Sequence, residues 1–485
     1  MIPLTFTADR LVAVYGLGTS GLAAARALHA SGARVLAWDD DPARREAAAA
    51  QGIPLTDPEA PAWSAAAFLV LSPGIPDRYP EPHPAAARAR TAGVPIVSDV
   101  ELLARAQPDA RFVGVTGTNG KSTTTALIGH ILDEAGAAPQ VGGNLGRPAL
   151  DFEPAAPDQP YVLEVSSYQL ERSAAPTFDV SVLLNITPDH VARHGGMDGY
   201  IAAKRRVFMG QSGEQTAVIG VDDDATRVIA EELRAEPGGA AVVPVSATGA
   251  VAGGVSAANG VLVDDLDGAC REVLDLRTCP TLPGVHNWQN AAAAHAVSRH
   301  LGIDSETIAA ALQSYPGLAH RQEVVAVIDG VAFVNDSKAT NAAAAARALA
   351  SYPAVYWIVG GRPKEDGLTG TEAHWGRVRR AFTIGEAADG FRTALAGRVS
   401  AHASDTLDIA VHQAAEAANA DGEPGAVVLF SPACASFDQY ADFAARGEHF
   451  RRLVADLPGT RGSLTAAHPG ADAATAAPAD AGGAP

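Results

Sequence analysis

A lysine and two hydroxyl side chains follow a glycine-rich turn, an arrangement that suits a nucleoside triphosphate. The turn, Gly117-Thr118-Asn119-Gly120-Lys121-Ser122-Thr123, lies between the strand-like FVGVTG and the helix-like TTALIGHIL. Glycines let backbone N–H groups and the helix N-terminus face phosphate oxygens. Lys121 would neutralise the β- and γ-phosphates, and Ser122 would place its hydroxyl on Mg²⁺. The strict phosphate-binding motif has glycine where Val115 stands. A chance turn is therefore the alternative, but the strand before it and the helix after it predict an ATP site.

Polar side chains also lie in and after the next two strand-like runs. Glu164 interrupts the apolar run YVLEV, where an unpaired charge would be costly to bury. The polar segment Asn185-Ile186-Thr187-Pro188-Asp189-His190 closes the following run. Hard oxygen ligands with one histidine suit Mg²⁺ or Mn²⁺ better than Zn²⁺. We therefore expect a metal site here; the alternative is a solvated Glu164 on an edge strand and a surface His190.

A second glycine pattern lies near the N-terminus. Gly16-x-Gly18-x-x-Gly21 follows a strand-like run and opens a helix-like one, and Asp39 ends the next strand, as in dinucleotide sites. Ser72-Pro73-Gly74 ends the third strand-like run of the same region. The pattern favours a ligand with one nucleoside diphosphate, while NAD binding and a purely structural turn stay open.

The last third of the chain repeats the arrangement of polar residues after strands. The runs that carry it are Ala319-His320-Arg321, Val334-Asn335-Asp336-Ser337-Lys338-Ala339-Thr340-Asn341, Gly360-Gly361-Arg362-Pro363-Lys364 and Ser431-Pro432-Ala433-Cys434-Ala435-Ser436-Phe437-Asp438. Sites in α/β proteins form at the ends of strands, although solvated turns are the alternative. An Ala-rich helix follows the segment His286-Asn287-Trp288-Gln289-Asn290. This segment is either part of a functional site or a helix cap with a packing tryptophan.

These motifs need strands and helices that alternate. Strand-like runs separated by helix-like runs and short turns predict α/β domains with doubly wound, mostly parallel sheets. The pattern restarts near residue 108 and again after residue 317. We predict a Rossmann-like domain at 1–107, a P-loop ATPase-type domain at 108–317 and a second Rossmann-like domain at 318–460. Residues 461–485, rich in Ala, Pro and Gly, are expected to be a disordered tail whose removal leaves stability unchanged.

Composition limits the class of protein. A net charge of −19 repels nucleic acid and anionic membrane surfaces. No apolar run approaches the ~20 residues of a membrane span, and the first residues lack the features of a secretory signal. Three scattered cysteines fit a reducing cytoplasm. Only four of the 36 basic residues are lysines, namely Lys121, Lys204, Lys338 and Lys364, so we expect that each needs a compact or deprotonatable amine.

Six motifs in order, GTNGKST, LEVSSYQLE, NITPDH, HNWQN, NDSKATN and SPACASFDQ, resemble those of the Mur ligases of peptidoglycan synthesis. The last two resemble the branch that adds D-glutamate. The resemblance implies a cytoplasmic enzyme whose substrates are UDP-MurNAc-L-Ala, D-glutamate and ATP, with Mg²⁺ or Mn²⁺ at two sites. ATP would activate the carboxylate as an acyl phosphate, which the amine of D-glutamate attacks, and the third domain would close before chemistry. We expect a monomer that binds neither nucleic acid nor membrane.

The resemblance also implies residue roles. The catalytic set is Lys121, His190, Lys204 and Arg321. ATP would be held by Gly117, Thr118, Asn119, Gly120, Lys121, Ser122, Thr123, Asn290, Arg321 and Asp336. The metal ligands would be Ser122, Glu164, His190 and a carbamylated Lys204. The UDP-sugar would contact Thr19, Ser20, Ser72, Pro73, Gly74 and Asn144. D-glutamate would contact Lys338, Thr340, Lys364, Ser436 and Phe443.

The sequence departs from the family near two of these sites. Asp40 and Asp41 extend an acidic run beside the expected diphosphate, and Ala319 stands where proline is usual. Two rival functions stay open: a folylpolyglutamate synthase-like ligase, which would lack the first domain, and a nicotinamide oxidoreductase built on the N-terminal glycines.

Overall fold

Three sheets, each flanked by helices, make up the part of the chain that the computed structural model describes, residues 1–364 and 367–462. Residues 1–274 with 285–312 form one compact unit, and residues 275–284 with the chain from 313 onward form a second. The α/β class with three sheets is confirmed. The domain boundaries at 107 and 317 stay predictions.

The first sheet is parallel, in the order β2-β1-β3-β4. Its elements are β1 (Leu11–Tyr15), α1 (Thr19–Ala30), β2 (Arg34–Trp38), α2 (Pro42–Ala49), β3 (Leu69–Leu71), α3 (Pro84–Thr91), β4 (Ile96–Val97) and α4 (Asp99–Ala106). Because β1 and β3 are neighbours whose crossovers leave in opposite directions, their carboxyl ends form a crevice of the kind that binds ligands.

The second sheet has the order β13-β12-β11-β10-β9-β8-β5-β7-β6. Its strands are β5 (Phe112–Thr116), β6 (Gln140–Gly143), β7 (Tyr161–Glu164), β8 (Val180–Leu183), β9 (Thr216–Gly220), β10 (Ala241–Ser246), β11 (Val255–Ser256), β12 (Val261–Asp264) and β13 (Arg271–Asp275). Its helices are α5 (Lys121–Glu134), α6 (Ser167–Glu171), α7 (Met197–Arg205), α8 (Asp224–Ala235), α9 (Val285–His300) and α10 (Ser305–Ser314). The glycine-rich turn after β5 therefore lies between the ends of β7 and β8, the strands that carry the other two polar motifs.

The third sheet has the order β14-β15-β19-β16-β17-β18 and is parallel except for the β14-β15 hairpin. Its elements are β14 (Glu323–Ile328), β15 (Val331–Asn335), α11 (Ala342–Ala350), β16 (Ala354–Gly360), β17 (Val378–Ile384), α12 (Ala388–Leu395), β18 (Ser400–Asp405), α13 (Leu407–Asp421), β19 (Ala426–Phe430) and α14 (Phe443–Asp456). Every residue of β16 and β19 is buried, as central parallel strands require. The loops after β15, β19 and β16 meet at one edge because these strands are neighbours.

The first two residues of the predicted tail, Arg461 and Gly462, pair with the fold. Arg461 forms an antiparallel bridge with Ile328, and the Gly462 N–H donates to Val327 O at 2.9 Å. The Arg461 guanidinium also donates to three carbonyls at the end of α14, the nearest at 2.8 Å. Disorder from residue 461 is therefore wrong for these two residues, since an edge strand and a helix end supply partners for their backbone and side chain. Residues 463–485 lie outside the described residues.

Candidate active site

The glycine-rich turn after β5 has the conformation that the ATP hypothesis requires. Gly120 precedes α5 with φ +85°, and Gly117 has φ +152°. A Cβ added at Gly120 would lie 2.2 Å from Oδ1 of Asn290, so a side chain has no space there. The first N–H groups of α5 have no partner in the helix, so they are able to bind an anion such as phosphate.

Lys121 lies against the backbone of its own turn. Its Nζ donates to Gly117 O and to Thr118 O, each at 2.9 Å. The segment after β8 supports the turn, because Thr118 N donates to Asn185 O at 2.8 Å and Asn119 N donates to Asn185 Oδ1 at 2.9 Å. The predicted NITPDH motif thus holds the backbone that would cradle phosphates.

The other predicted ATP residues of the first unit surround the same turn. Ser122 and Thr123 are buried in the first turn of α5. Asn290 is buried in α9, and its Oδ1 accepts a hydrogen bond from Thr124 Oγ1 at 3.2 Å. We infer that Asn290 supports the start of α5 through this hydrogen bond, so the HNWQN segment is more than a helix cap.

Glu164 is buried at the end of β7 with half of its carboxylate unpaired. Asn144 Nδ2 donates to Glu164 Oε1 at 2.6 Å, whereas Oε2 has no partner among the described residues. An unpartnered buried oxygen is costly unless a cation or donor reaches it. The geometry fits the predicted metal ligand. Asn144 is predicted to contact the UDP-sugar, and its side-chain amide donates this hydrogen bond to the Glu164 carboxylate.

Lys204 is 1% exposed in α7 and donates from Nζ to Gly117 O at 2.7 Å. Burial, with the nearby Lys121 ammonium second, lowers the pKa of Lys204 to about 6. The His190 side chain is 54% exposed, as in the surface alternative. Its partial burial still lowers the pKa of His190 despite the opposing Asp189 carboxylate, and Lys121 and Lys204 lower it further. The structure therefore brings together Lys121, His190 and Lys204, three of the four predicted catalytic residues.

These residues fit a metal only if Lys204 contributes an anion. Within residues 1–364 and 367–462, no three His, Cys, Asp or Glu side chains gather closely enough to hold a metal ion. Glu164 and His190 would supply two ligands of that kind, and Ser122 would supply a hydroxyl. A carbamate on Lys204 would supply the further pair of hard oxygens that Mg²⁺ favours.

The N-terminal crevice contains the predicted UDP-sugar residues at its edges. Thr19 and Ser20 begin α1, directly after the glycine turn. Ser72, which follows β3, donates from Oγ to Gly16 O at 2.8 Å. A Cβ at Gly16 would lie 2.6 Å from the Ser72 Cβ, so glycine allows this close approach. Thr19, Ser20 and the Ser72-Pro73-Gly74 turn are therefore placed at one sheet edge.

The three acidic residues after β2 accept hydrogen bonds from groups within the fold. Asp39 Oδ2 accepts from Leu17 N at 2.6 Å, and its Oδ1 accepts from Asp41 N at 2.9 Å. Asp40 accepts a hydrogen bond from the Tyr15 hydroxyl at 2.5 Å, and Asp41 caps α2. Since both Asp39 oxygens bind backbone N–H groups, this residue is poorly placed to serve as the ribose ligand of a dinucleotide site, which weakens the oxidoreductase alternative.

Two arginines that sequence reasoning missed hold the turn after β3. Arg172 is buried and donates to the carbonyls of Leu71, Ser72 and Ile75 at 2.6–3.1 Å. Arg193 Nη1 donates to Gly74 O at 2.8 Å. Both arginines come from the region of the second sheet, and no motif marks either one in the sequence.

The second unit contains the remaining predicted residues. Asp336 is buried after β15, and its Oδ2 accepts from Ser431 Oγ at 2.7 Å while Oδ1 accepts from Gln322 N at 3.2 Å. Burial raises the pKa of Asp336 to about 7, although the Arg321 guanidinium acts in the opposite direction. The structure thus places Arg321 near Asp336, as expected for the two predicted nucleotide contacts.

The predicted D-glutamate residues lie on the three neighbouring loops and the start of α14. Lys338 Nζ is 5.6 Å from the centroid of the Phe443 ring, and Ser436 is buried in the loop after β19. Thr340 is half-buried beside Lys338, and Lys364 is exposed in the loop after β16. The bridge between Arg362 and Ala435 joins the loop of Lys364 to the loop that carries Ser436.

Comparison with known proteins gives the family. The model of the Mur ligase middle domain matches residues 115–298. The UDP-N-acetylmuramoylalanine--D-glutamate ligase of Rhodospirillum rubrum is 54% identical over 475 residues, covering 97% of this chain and 99% of that protein. The Caulobacter vibrioides protein of the same name is 50% identical over 473 residues, covering 96% of this chain and 100% of its own.

Solved structures share the fold at low identity. The UDP-N-acetylmuramate-alanine ligase of Thermotoga maritima is 18% identical with a TM-score of 0.56, covering 92% of this chain and 99% of that one. The pseudomurein peptide ligase type C of Methanothermus fervidus is 16% identical with a TM-score of 0.51, covering 92% of this chain and 99% of its own. The sequence relatives, at half identity or more over nearly the whole chain, establish that the chain belongs to the Mur ligase family, in the group of UDP-N-acetylmuramoylalanine--D-glutamate ligases.

Proposed function

We propose that the protein is an ATP-dependent ligase that joins D-glutamate to UDP-N-acetylmuramoyl-L-alanine in the cytoplasm, forming ADP and phosphate. The observation that carries this proposal is identity of 54% over nearly the full length of a ligase of that name. No helix among the described residues has the length and apolar character needed to cross a bilayer.

The first chemical step is transfer of the γ-phosphoryl group to the substrate carboxylate. The carboxylate oxygen attacks phosphorus, the bond to ADP breaks, and an acyl phosphate forms. Phosphoryl transfer depends mostly on positioning and on neutralisation of charge. Lys121 and the N–H groups at the start of α5 would supply these near Gly117, and Arg321 and Asp336 are the other predicted nucleotide contacts.

The site would hold a magnesium ion, whose charge would help to neutralise the charge that develops in phosphoryl transfer. Glu164 would use its unpartnered Oε2, and Ser122 and His190 would supply further ligands. The carbamate on Lys204 would form when the neutral amine attacks CO₂ and loses a proton. This chemistry is favoured by the lowered pKa, since only the unprotonated amine is a nucleophile.

The second step joins the amino acid. The unprotonated amine of D-glutamate attacks the acyl carbon, a tetrahedral intermediate forms, and phosphate leaves with one of the original carboxylate oxygens. Two ammonium groups, on Lys338 and Lys364, suit a substrate with two carboxylates. Thr340, Ser436 and Phe443 would complete its pocket.

The test is phosphate release by the full chain with ATP, Mg²⁺ and UDP-MurNAc-L-Ala against a panel of D- and L-amino acids. We expect release that depends on both the UDP-substrate and D-glutamate, with L-glutamate and D-alanine inactive. Equal release with several amino acids, or release without the UDP-substrate, would contradict the proposal.

A further inference from the structure

Arg446 is a charged side chain in an apolar position. It lies in α14 at a spacing of four and eight residues from Phe450 and Val454, the apolar face of that helix, and it is 1% exposed. Its guanidinium carbon lies 5.7 Å from the centroid of the Phe430 ring. Burial lowers the pKa of Arg446 to about 10, so it keeps its charge at neutral pH. An arginine in such a position needs hydrogen-bond partners for its N–H groups.

The partners of Arg446 belong to two loops. Nε donates to Ser337 Oγ at 3.1 Å, and Nη2 donates to Ser337 O at 2.9 Å. Nη2 also donates to Cys434 O at 3.0 Å, and Nη1 donates to Ala435 O at 3.2 Å. One guanidinium thus joins the loop after β15 to the loop after β19. None of its hydrogen-bond partners among the described residues is a carboxylate.

A third loop and the start of α14 meet the same group. Arg362 and Ala435 form an antiparallel bridge, and a Cβ at Gly361 would lie 3.0 Å from Arg446 Nη1. Ser337 Oγ, which accepts from Arg446, donates to Phe443 O at 2.8 Å. The segments that contact Arg446 are therefore the segments that carry Lys338, Thr340, Lys364, Ser436 and Phe443.

We propose that Arg446 is a positioning residue for the amino-acid substrate: its guanidinium fixes the relative placement of the three loops and adds positive charge behind a pocket for a dicarboxylate. This inference rests on the proposed function. A lysine cannot replace the arginine, because an ammonium does not offer donors spread in a plane to carbonyls on two loops. Arg446 acts through these loops and does not touch the reacting atoms.

The experiment separates amino-acid binding from activation of the carboxylate. Hydroxylamine is a small amine that attacks an acyl phosphate directly, giving a hydroxamate and phosphate, and it has no carboxylates to be held. We would compare the wild-type chain with Arg446→Lys and Ser337→Ala in two assays, ligation of D-glutamate and formation of the hydroxamate. The control is Arg377→Lys, which changes an arginine of the same unit whose guanidinium donates to the carbonyls of Ala350 and Tyr352, at the opposite edge of the sheet from these loops.

We expect Arg446→Lys to raise the KM for D-glutamate about tenfold or more, the effect of losing one or two charge-assisted hydrogen bonds. Ser337→Ala removes one acceptor, so its KM should rise less, and this variant provides the answer if Arg446→Lys does not fold. Both variants should keep the wild-type KM for ATP and the wild-type rate of hydroxamate formation. Arg377→Lys should leave the KM for D-glutamate unchanged.

The proposal is overturned if Arg446→Lys and Ser337→Ala leave the KM for D-glutamate unchanged, or if ligation and hydroxamate formation fall in parallel. It is also overturned if Arg377→Lys raises that KM as much. Failure of the proposed function gives a different result, because the wild-type chain would then form no hydroxamate from UDP-MurNAc-L-Ala and ATP.

Discussion

Replacement of Lys204 by methionine should abolish ligation and, at neutral pH, make the unliganded protein more stable. Lys204 has a pKa of about 6 in the folded chain against an ordinary value of 10.5. Because the folded value is the lower one, the lysine costs no stability above pH 10.5. The cost grows by about 1.4 kcal/mol for each pH unit below that and becomes constant below pH 6.

At pH 7 the neutral Lys204 therefore lowers the free energy of unfolding by about 5 kcal/mol. This value is an upper limit, because relaxation and water entry reduce such costs in real proteins. Loss of the hydrogen bond from Nζ to Gly117 O offsets about 1 kcal/mol of the gain. We therefore expect Lys204→Met to melt at a higher temperature than the wild type at pH 7, by a margin that narrows as the pH rises toward 10. Bicarbonate should stabilise the wild type alone, because only its folded state would hold a carbamate.

The activity assay tests the same lysine from the chemical side. Lys204→Arg keeps the positive charge but has no amine that can take up CO₂, so its rate should fall about 10²–10³-fold, as when one stabilising group of a transition state is lost. Lys204→Ala should be equally slow and should recover partly with acetate or formate. Arg205→Met, a change at the exposed neighbour that pairs with Glu232, is the control and should keep the wild-type rate. A Lys204→Arg enzyme at near wild-type rate would refute the carbamate.

Three further predictions concern the phosphate turn and the end of the described chain. Lys121→Ala should abolish ligation while calorimetry still detects binding of the UDP-substrate; loss of that binding would contradict the assignment of the turn to ATP. Gly120→Ala should weaken ATP binding strongly because its Cβ would meet Asn290 Oδ1 at 2.2 Å, and unchanged affinity would show that the turn can open. Truncation after Gly459 should lower the free energy of unfolding by about 1–3 kcal/mol, because it removes Arg461, which caps α14. Truncation after Gly462 keeps those contacts. Equal melting temperatures for the two truncated chains would contradict this.

Motifs that follow strands were predictable because their position depends on local sequence. The placement of Lys121, Glu164 and His190 near one another follows from strand order, once β5 is known to lie between β7 and β8. Pairing that depends on distant residues was not predictable in the same way. The extent of the tail was wrong because Arg461 finds its partners across the sequence, in β14 and α14.

The roles of buried arginines show the same limit. Arg446 breaks an apolar stripe of α14, and this irregularity is a signal that the sequence offered. Arg172 gave no signal, since its partners are backbone carbonyls of a turn about 100 residues earlier in the chain. The acidic run Asp39-Asp40-Asp41 raised a doubt about the diphosphate contact, and the structure assigns its members to internal hydrogen bonds.

The most direct test of the proposed ligation follows one oxygen atom. UDP-MurNAc-L-Ala labelled with ¹⁸O in its alanyl carboxylate is incubated with the enzyme, ATP, Mg²⁺ and D-glutamate, and the released phosphate is analysed by mass spectrometry. Attack of the amine on an acyl phosphate predicts that each phosphate carries one ¹⁸O atom and that the other label stays in the new amide. Phosphate without ¹⁸O, released in step with amide formation, would contradict the acyl-phosphate route and with it the roles assigned to Lys121 and Lys204.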